Sequence, residues 1–194
     1  MNLYKKYQNI IKCLTEYRKY TLDKNETFLD YDEFNNKIQL ITYIKHKLYD
    51  KDNNEIIAYI FDKDTKFMNY TTDFKKIIDK HKNSTILLFT NDPLNIYLQK
   101  TVKKNNSNIY VYLHKHFVME LVKGPFCSKH EILSKEETNK VCFQLMAHGH
   151  RLPTISVNDP QCIWIGANVN DLIKITSESE LTGESIKYRI VVPE

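Results

Sequence analysis

Glycine is scarce in this sequence, and its scarcity limits the kinds of phosphate site that the chain can form. Only four glycines occur among 194 residues. Glycine-rich loops bring backbone amides close to phosphates because glycine has no Cβ, and no such loop is present. The nucleophile elbow of serine hydrolases and the H-E-x-x-H zinc motif are also absent from the sequence. These absences favour a binding or assembly protein over an enzyme.

Paired cysteines and long apolar runs are lacking as well. The four cysteines, at positions 13, 127, 142 and 162, form no C-x-x-C pair. The first residues, MNLYKKYQNIIKCL, lack the continuous apolar stretch of a signal peptide. We therefore expect reduced thiols in the cytosol, the nucleus or a virion. No apolar run approaches the roughly 18–20 residues that cross a bilayer, so we expect no membrane partner.

Charge is distributed unevenly along the chain. Residues 1–123 carry 21 basic and 15 acidic side chains, whereas residues 124–194 carry 7 and 9. A mildly basic first part suits a loose contact with a polyanion, and a nearly neutral second part suits a protein interface. On charge alone, a solvated, lysine-rich surface is the favoured explanation of the same numbers.

The first part predicts helices followed by alternating strands and helices. Apolar side chains at helical spacing predict a helix over residues 3–20. A second helix is expected to start at Asp30, which has capping-box spacing to Glu33, and to continue with an apolar stripe. That stripe is formed by Phe34, Ile38, Ile41 and Leu48.

Three short apolar runs then predict strands, at residues 56–61, 85–90 and 108–113, and the first two are expected to be buried. Helices are expected between them, one capped by Thr71 or Thr72 and one starting at Pro93. This alternation predicts parallel strands with helices on both faces, a three-layer α/β/α domain. The break at Gly124 and Pro125 places the domain boundary between residues 123 and 124, giving domains 1–123 and 124–194.

One motif favours an enzyme. Asp62 and Asp64 follow a predicted strand as D-x-D-x-T, which resembles the nucleophile motif of haloacid-dehalogenase-type phosphotransferases, with Thr90 as a possible second motif. In that chemistry the first Asp attacks phosphorus and Mg²⁺ neutralises the phosphate. Residues 84–194 offer no later cluster of carboxylates for Mg²⁺. A polar turn after a strand is the alternative.

Several histidines and one cysteine raise the alternative of a zinc site. Close pairs occur at His114 and His116, Cys127 and His130, and His148 and His150. No complete set of four ligands at zinc spacing is present, so neither a metal nor any other cofactor is expected.

The second part predicts a small α+β domain. Ser134 and Glu137 form a capping box for a helix to about His148, with Gly149 after it. Asp159 before Pro160 predicts a cap for a short helix from residue 160. Residues 171–176 and 185–192 form a predicted hairpin around a turn at 181–184. We expect the last strand to form an edge that can dock a partner.

An ordered series of motifs runs through this second part. It comprises Lys129-His130, Arg151-Leu152-Pro153-Thr154-Ile155, Asn158-Asp159-Pro160, Ile163-Trp164-Ile165-Gly166, Asp171-Leu172-Ile173-Lys174-Ile175, Ser177-Glu178 with Thr182-Gly183, and Tyr188-Arg189-Ile190. This series resembles the shared fifth subunit of eukaryotic RNA polymerases, whose archaeal counterpart is called H. It departs from the family pattern at Ser128, Asn170 and Leu181, where the family has Pro, Gly and Thr.

The resemblance implies a non-catalytic subunit of a multi-subunit DNA-directed RNA polymerase. Its C-terminal domain would be a small α+β assembly domain, like the archaeal counterpart, that docks on the largest subunit. Other polymerase subunits would be further partners. The implied interface residues are Lys129, His130, Arg151, Pro153, Asp159, Pro160, Tyr188 and Arg189. The alternative is that these residues only maintain the fold.

The resemblance further implies that residues 1–123 form a jaw domain beside downstream duplex DNA. The stretch matching the family's DNA-side motif is Asn91-Asp92-Pro93-Leu94-Asn95. With the lysines that follow, the candidate DNA contacts are Asn91, Asn95, Lys100, Lys103 and Lys104. Backbone amides at a helix start and these lysines would touch phosphates without reading sequence.

The sequence leaves two questions open. A stand-alone interaction module that borrowed the C-terminal domain would carry the same motifs. The biased composition fits a large DNA virus or an AT-rich protist. The place of action would be the virion and the host transcription site if viral, or the nucleus if cellular.

Overall fold

The computed structural model describes residues 3–40, 43–61, 76–78, 80–81, 84–93, 100, 108–124, 127–147, 151–179 and 183–193. The chain divides into two compact units, Met1–Met119 and Glu120–Glu194. The sequence predicts this boundary slightly later, between Lys123 and Gly124. No helix within the described ranges is long and apolar enough to cross a membrane.

The N-terminal unit contains a five-stranded mixed sheet. Its strands are β1 (Thr21–Leu22), β2 (Tyr43–Tyr49), β3 (Glu55–Phe61), β4 (Thr85–Thr90) and β5 (Ile109–Leu113), in the same order across the sheet. Strands β3, β4 and β5 are parallel, whereas β2 pairs antiparallel with β1 and β3. The three predicted strands and their parallel pairing are confirmed, and the two predicted to be buried, β3 and β4, are buried.

Strand β3 is buried on both faces. Tyr59 and Phe61 pack with Ile77 and Ile78 on one face. Side chains that point to the other face, such as Ile60, are also fully buried. Apolar side chains on both faces are what a parallel strand covered on both sides requires, and they explain the continuous apolar run at 56–61.

The predicted second helix is too long. Helix α2 (Tyr31–Leu40) begins as expected, with the Glu33 amide donating to Asp30 Oδ1 at 2.8 Å. It stops before β2, which the sequence assigned to the same helix. In β2 the buried side chains alternate with more exposed ones, and all seven residues pair with β3. Burial alternates with a period of two residues, and the backbone pairs with β3. These two features of a strand determine the structure here, despite the helical spacing of the apolar residues.

The first helix is also shorter than predicted. Helix α1 (Leu3–Lys12) continues into a π-helical turn, Cys13–Tyr17. The helical conformation ends at Arg18, and Lys19 has a positive φ of 60°. Tyr7, Ile10 and Leu14 form the buried stripe of this segment, as the helical spacing predicts.

The C-terminal unit contains a four-stranded mixed sheet and two helices. The strands are β6 (Lys129–Ile132), β7 (Thr154–Ser156), β8 (Leu172–Ser179) and β9 (Gly183–Val192), in the order β6-β8-β9-β7. The β7–β9 pair is parallel, and the other two pairs of this sheet are antiparallel. The helices are α3 (Lys135–Gln144) and α4 (Pro160–Ile165). The predicted α+β unit with a β8–β9 hairpin is confirmed, although the turn residues 180–182 lie outside the described ranges.

The two helices pack against opposite faces of this sheet. Leu172 and Tyr188 cluster with Val141 of α3. Ile173 and Ile175, which point the other way along β8, cluster with Cys162 of α4. Both helices start at the predicted caps. Ser134 and Glu137 form the capping box of α3, and Asp159 Oδ1 accepts the Gln161 amide of α4 at 2.8 Å.

Strand β9 forms an edge over only part of its length. It pairs with β8 from Gly183 to Ile190, while β7 covers its other side from Ile190 to Val192. The prediction of a last-strand edge therefore applies to residues 183–189, and the end of the strand lies inside the sheet.

Candidate docking surface

The C-terminal end of α3 exposes a cluster of large apolar side chains. Phe143 is 85% exposed, Met146 is 91% exposed, and Leu145 between them is 49% exposed. Single exposed apolar residues are common on proteins, but adjacent ones that cover nothing within their own domain mark interaction surfaces. These residues were not predicted as a surface, because the helix expected from the sequence continued through them to His148.

Helix α3 ends earlier than predicted, through a Schellman motif. The Met146 amide donates to Phe143 O at 3.1 Å, and the Ala147 amide donates to Cys142 O at 3.0 Å. Met146 occupies the left-handed position of this motif, with φ 48°. Glycine is usual there, since a side chain costs about 1 kcal/mol in this conformation. Gly149, the predicted cap, lies outside the described residues, as do His148 and His150.

A groove of about 260 Å³ lies beside this cluster. It is lined by Leu145, Leu152, Pro153, Lys187, Tyr188 and Arg189. Three predicted interface residues, Pro153, Tyr188 and Arg189, are therefore brought together here from two distant segments. Leu145 and Leu152 join them from the end of α3 and from the loop that precedes β7.

The floor of the groove is fixed by hydrogen bonds between β9 and the segment that leads into β7. The Ile190 amide donates to Pro153 O at 2.9 Å. Arg189 Nη1 donates to Thr154 O at 3.3 Å. Arg151, another predicted interface residue, is exposed just before this segment. The charged side chains that line the groove, Lys187 and Arg189, are thus basic.

The other predicted interface residues lie elsewhere in the unit. Lys129 Nζ lies 2.6 Å from Glu131 Oε1 on β6, and His130 Nδ1 lies 2.8 Å from Ser128 O. Lys129 also lines a second, polar cleft of about 570 Å³ between the start of β6 and the β8–β9 hairpin. Asp159 and Pro160 start α4, where Asp159 acts as the cap. These contacts give each residue a role in the fold, and contact with a partner stays a prediction for them.

The candidate DNA contacts are only partly described. Asn91 follows β4 and is half-buried, and Lys100 is exposed. Asn95, Lys103 and Lys104 lie outside the described residues. The turn after β4 is held by Thr90, whose hydroxyl donates to Asp92 O at 2.9 Å. This turn follows the carboxyl end of β4. It lies next to the end of β5, because Thr90 pairs with Leu113.

The enzyme and zinc hypotheses gain no support in the described part of the chain. Asp62 and Asp64 lie outside it, and Thr90 is buried with its hydroxyl engaged in the turn. No group of three or more His, Cys, Asp or Glu residues suited to a metal ion occurs among the described residues. His114 is fully buried, and burial lowers its pKa to about 4.

Comparison with known proteins points to one family. The family model described as RNA polymerase Rpb5, C-terminal domain, matches residues 119–191, which contain the groove. The DNA-directed RNA polymerase subunit Rpo5 of Methanosarcina mazei is 44% identical over 64 residues, or 33% of this chain and 82% of the relative. The same subunit of Sulfolobus acidocaldarius is 47% identical, covering 33% of this chain and 76% of the relative.

A third relative, the Rpo5 protein of Archaeoglobus fulgidus, is 45% identical over 64 residues, or 84% of its length. The chain thus contains most of a complete archaeal relative and adds a further unit to it. On this identity and coverage, the chain belongs to the Rpb5/Rpo5 family of multi-subunit RNA polymerases.

Proposed function

We propose that this chain is a non-catalytic subunit of a multi-subunit DNA-directed RNA polymerase, and that its C-terminal unit docks on the largest subunit. Membership of the Rpb5/Rpo5 family supports the first part. The second part rests on the apolar cluster at the end of α3 and the groove beside it.

The left-handed Met146 is the observation that carries the docking proposal. The side chain is almost fully exposed, so it adds nothing to the core, while its backbone conformation costs free energy. A feature that is costly for the fold and exposed to solvent is explained when a partner buries it. Phe143 and Leu145 extend the same surface.

We further propose that the N-terminal unit serves as a jaw of three layers, α/β/α, that supports downstream DNA without sequence specificity. The parallel strands β3, β4 and β5, of which β3 and β4 are buried on both faces, support the layered arrangement. The excess of basic residues before residue 124 supports sparse phosphate contacts. Asn91 lies in the turn after β4, where the ends of parallel strands commonly carry ligand contacts.

Native purification of the tagged chain tests the proposed function. We expect the large polymerase subunits to co-purify with it. Met146→Asp should reduce their recovery about tenfold or more, because burying an unpaired carboxylate is costly. Val169→Asp is the matched control, since Val169 is an exposed apolar residue of the same unit outside the docking surface. Recovery of other proteins without polymerase subunits would instead favour a stand-alone interaction module.

We also propose that the source is a large DNA virus, so that the subunit acts in the virion and at the host transcription site. The alternative is an AT-rich cellular genome, for which the subunit would act in the nucleus. The composition, with 13 tyrosines and four glycines, supports this proposal. Mass spectrometry of purified virions would test it. A nuclear pool in an uninfected cell would contradict it.

A further inference from the structure

In the part of the chain that the structure describes, one side of β9 has no neighbouring strand over most of its length. Within the described part of the chain, β7 is the strand on this side, and it reaches only Ile190–Val192. Among the described residues, residues 185–189 therefore have no neighbouring strand on this side, and they form an open edge beside the groove. An open edge is a template on which another extended chain can add.

Hydrogen bonds at the end of β9 show which residues face this open side. The Val191 amide donates to Asp171 O, and the Asn170 amide donates to Val191 O, so Val191 faces β8. The Ile190 amide donates to Pro153 O, so Ile190 faces β7. Because successive residues alternate in a ladder, the amides and carbonyls of Ile186 and Tyr188 point to the open side.

The two faces of this edge differ in chemistry. Ile186 and Tyr188 pair with Thr176 and Lys174, on the same face as Leu172 and the α3 cluster. Lys187 and Arg189 pair with Ile175 and Ile173, on the face covered by α4. The side chains of an added strand would alternate between the two faces. Every second side chain would contact the apolar side of the groove, and the others would lie beside basic side chains.

We infer that an extended segment of the partner polymerase subunit, with alternating apolar and acidic residues, adds as a strand along Ile186 and Tyr188. This inference rests on the proposed function, because it names how the docking surface engages the partner. Main-chain hydrogen bonds supply the pairing, the groove beside Leu145 and Leu152 takes apolar side chains, and Lys187 and Arg189 take carboxylates.

Residue-resolved hydrogen–deuterium exchange on the full chain, free and in the purified polymerase, tests strand addition directly. The Ile186 and Tyr188 amides should exchange about tenfold more slowly, or slower still, in the complex. The Lys187 and Arg189 amides point to β8 and are an internal control, since they should be protected in both states. A chain that co-purifies while Ile186 and Tyr188 exchange equally fast in both states would overturn the inference alone. A chain that never associates would overturn the proposed function.

A backbone substitution gives the second test. Ile186→Pro removes the outward amide without removing a bond to β8, and proline is tolerated at strand edges. It should weaken association about tenfold, because one main-chain hydrogen bond is lost and the acceptor on the added strand is left without a donor. Ile186→Ala is the control that keeps the amide, and it should weaken association less. Equal effects of the two substitutions would show that the side chain, not main-chain pairing, makes the contact.

Discussion

Tyr7 Oη lies 2.9 Å from His46 Nε2, joining α1 to β2 in the interior of the N-terminal unit. The same hydroxyl accepts the Leu29 amide at 3.0 Å. On the other side of the ring, His46 Nδ1 lies 3.5 Å from Glu26 Oε2, which also accepts the Lys47 amide at 2.9 Å. One buried tyrosine therefore ties together the first helix, the segment before α2 and the strand that the sequence failed to predict.

Tyr7→Phe should lower the free energy of unfolding of the N-terminal unit by about 1–3 kcal/mol, because the Leu29 amide and His46 Nε2 both lose their hydrogen-bond partner in a buried position. Urea denaturation followed by far-ultraviolet circular dichroism measures this change. Tyr31→Phe, at a half-exposed ring, is the matched control and should change stability little. Equal effects of the two substitutions would contradict the prediction.

Stability of the N-terminal unit should fall as the pH drops from about 6.5 to about 4. Burial lowers the pKa of His114 from 6.5 to about 4, and the positive charge of Lys6 acts in the same direction. The unfolded chain therefore binds a proton at a pH where the folded chain does not, and acid favours unfolding by about 3 kcal/mol across this window. His114→Gln should flatten the dependence between pH 6.5 and 5. An unchanged slope in thermal melts of this variant would argue against His114 as the source.

Met146→Gly should stabilise the C-terminal unit by about 1 kcal/mol, since glycine adopts a positive φ without steric cost. Gln144→Gly, only two residues earlier, should have the opposite sign and cost about 1 kcal/mol within the helix. Differential scanning calorimetry distinguishes the two shifts. If the docking proposal holds, Met146→Gly also weakens recovery of polymerase subunits while raising the melting temperature.

Asp159→Ala should destabilise the C-terminal unit by about 1 kcal/mol, because the Gln161 amide at the start of α4 loses its acceptor. Asp159→Asn keeps an acceptor and should cost only a few tenths of that amount. Chemical denaturation of both variants measures the difference. Identical losses would show that charge at the helix start matters more than the hydrogen bond.

Replacing Lys100, Lys103 and Lys104 together by Glu should weaken crosslinking of the chain to downstream DNA without releasing it from the polymerase. Each lost phosphate contact also reduces the dependence of DNA affinity on salt. Crosslinking at two salt concentrations measures both effects. Unchanged crosslinking would remove these lysines from the DNA site, whereas loss of the chain from the complex would point to assembly instead.

The sequence predicted the features that are local. The caps at Asp30, Ser134 and Asp159 depend on residues only two or three positions apart, and all three are present. The buried strand at 56–61 was recognisable because both of its faces are apolar. Such features require no knowledge of distant partners.

Features that depend on distant partners were missed. Strand β2 was predicted as helix because its apolar residues also fit helical spacing, and only the pairing with β3, which is distant in sequence, makes this segment a strand. The groove joins residue 145 to segments near residues 152 and 188, so no window of sequence contains it. The left-handed Met146 replaces the glycine that would have marked the helix end, and its exposure was therefore unpredictable from pattern alone.

The placement of α3 and α4 on opposite faces of the C-terminal sheet restricts how this unit can be held. Each helix shields part of one face, so the open rim of the sheet offers a direct route to the backbone of the strands. Contact along a rim and at the C-terminal end of α3 fixes the direction of the strands relative to the partner, and it leaves the outer side of α4 and the first turn of α3 free to change. Sequence drift on those outer surfaces should therefore leave the orientation of the unit within its assembly unaltered.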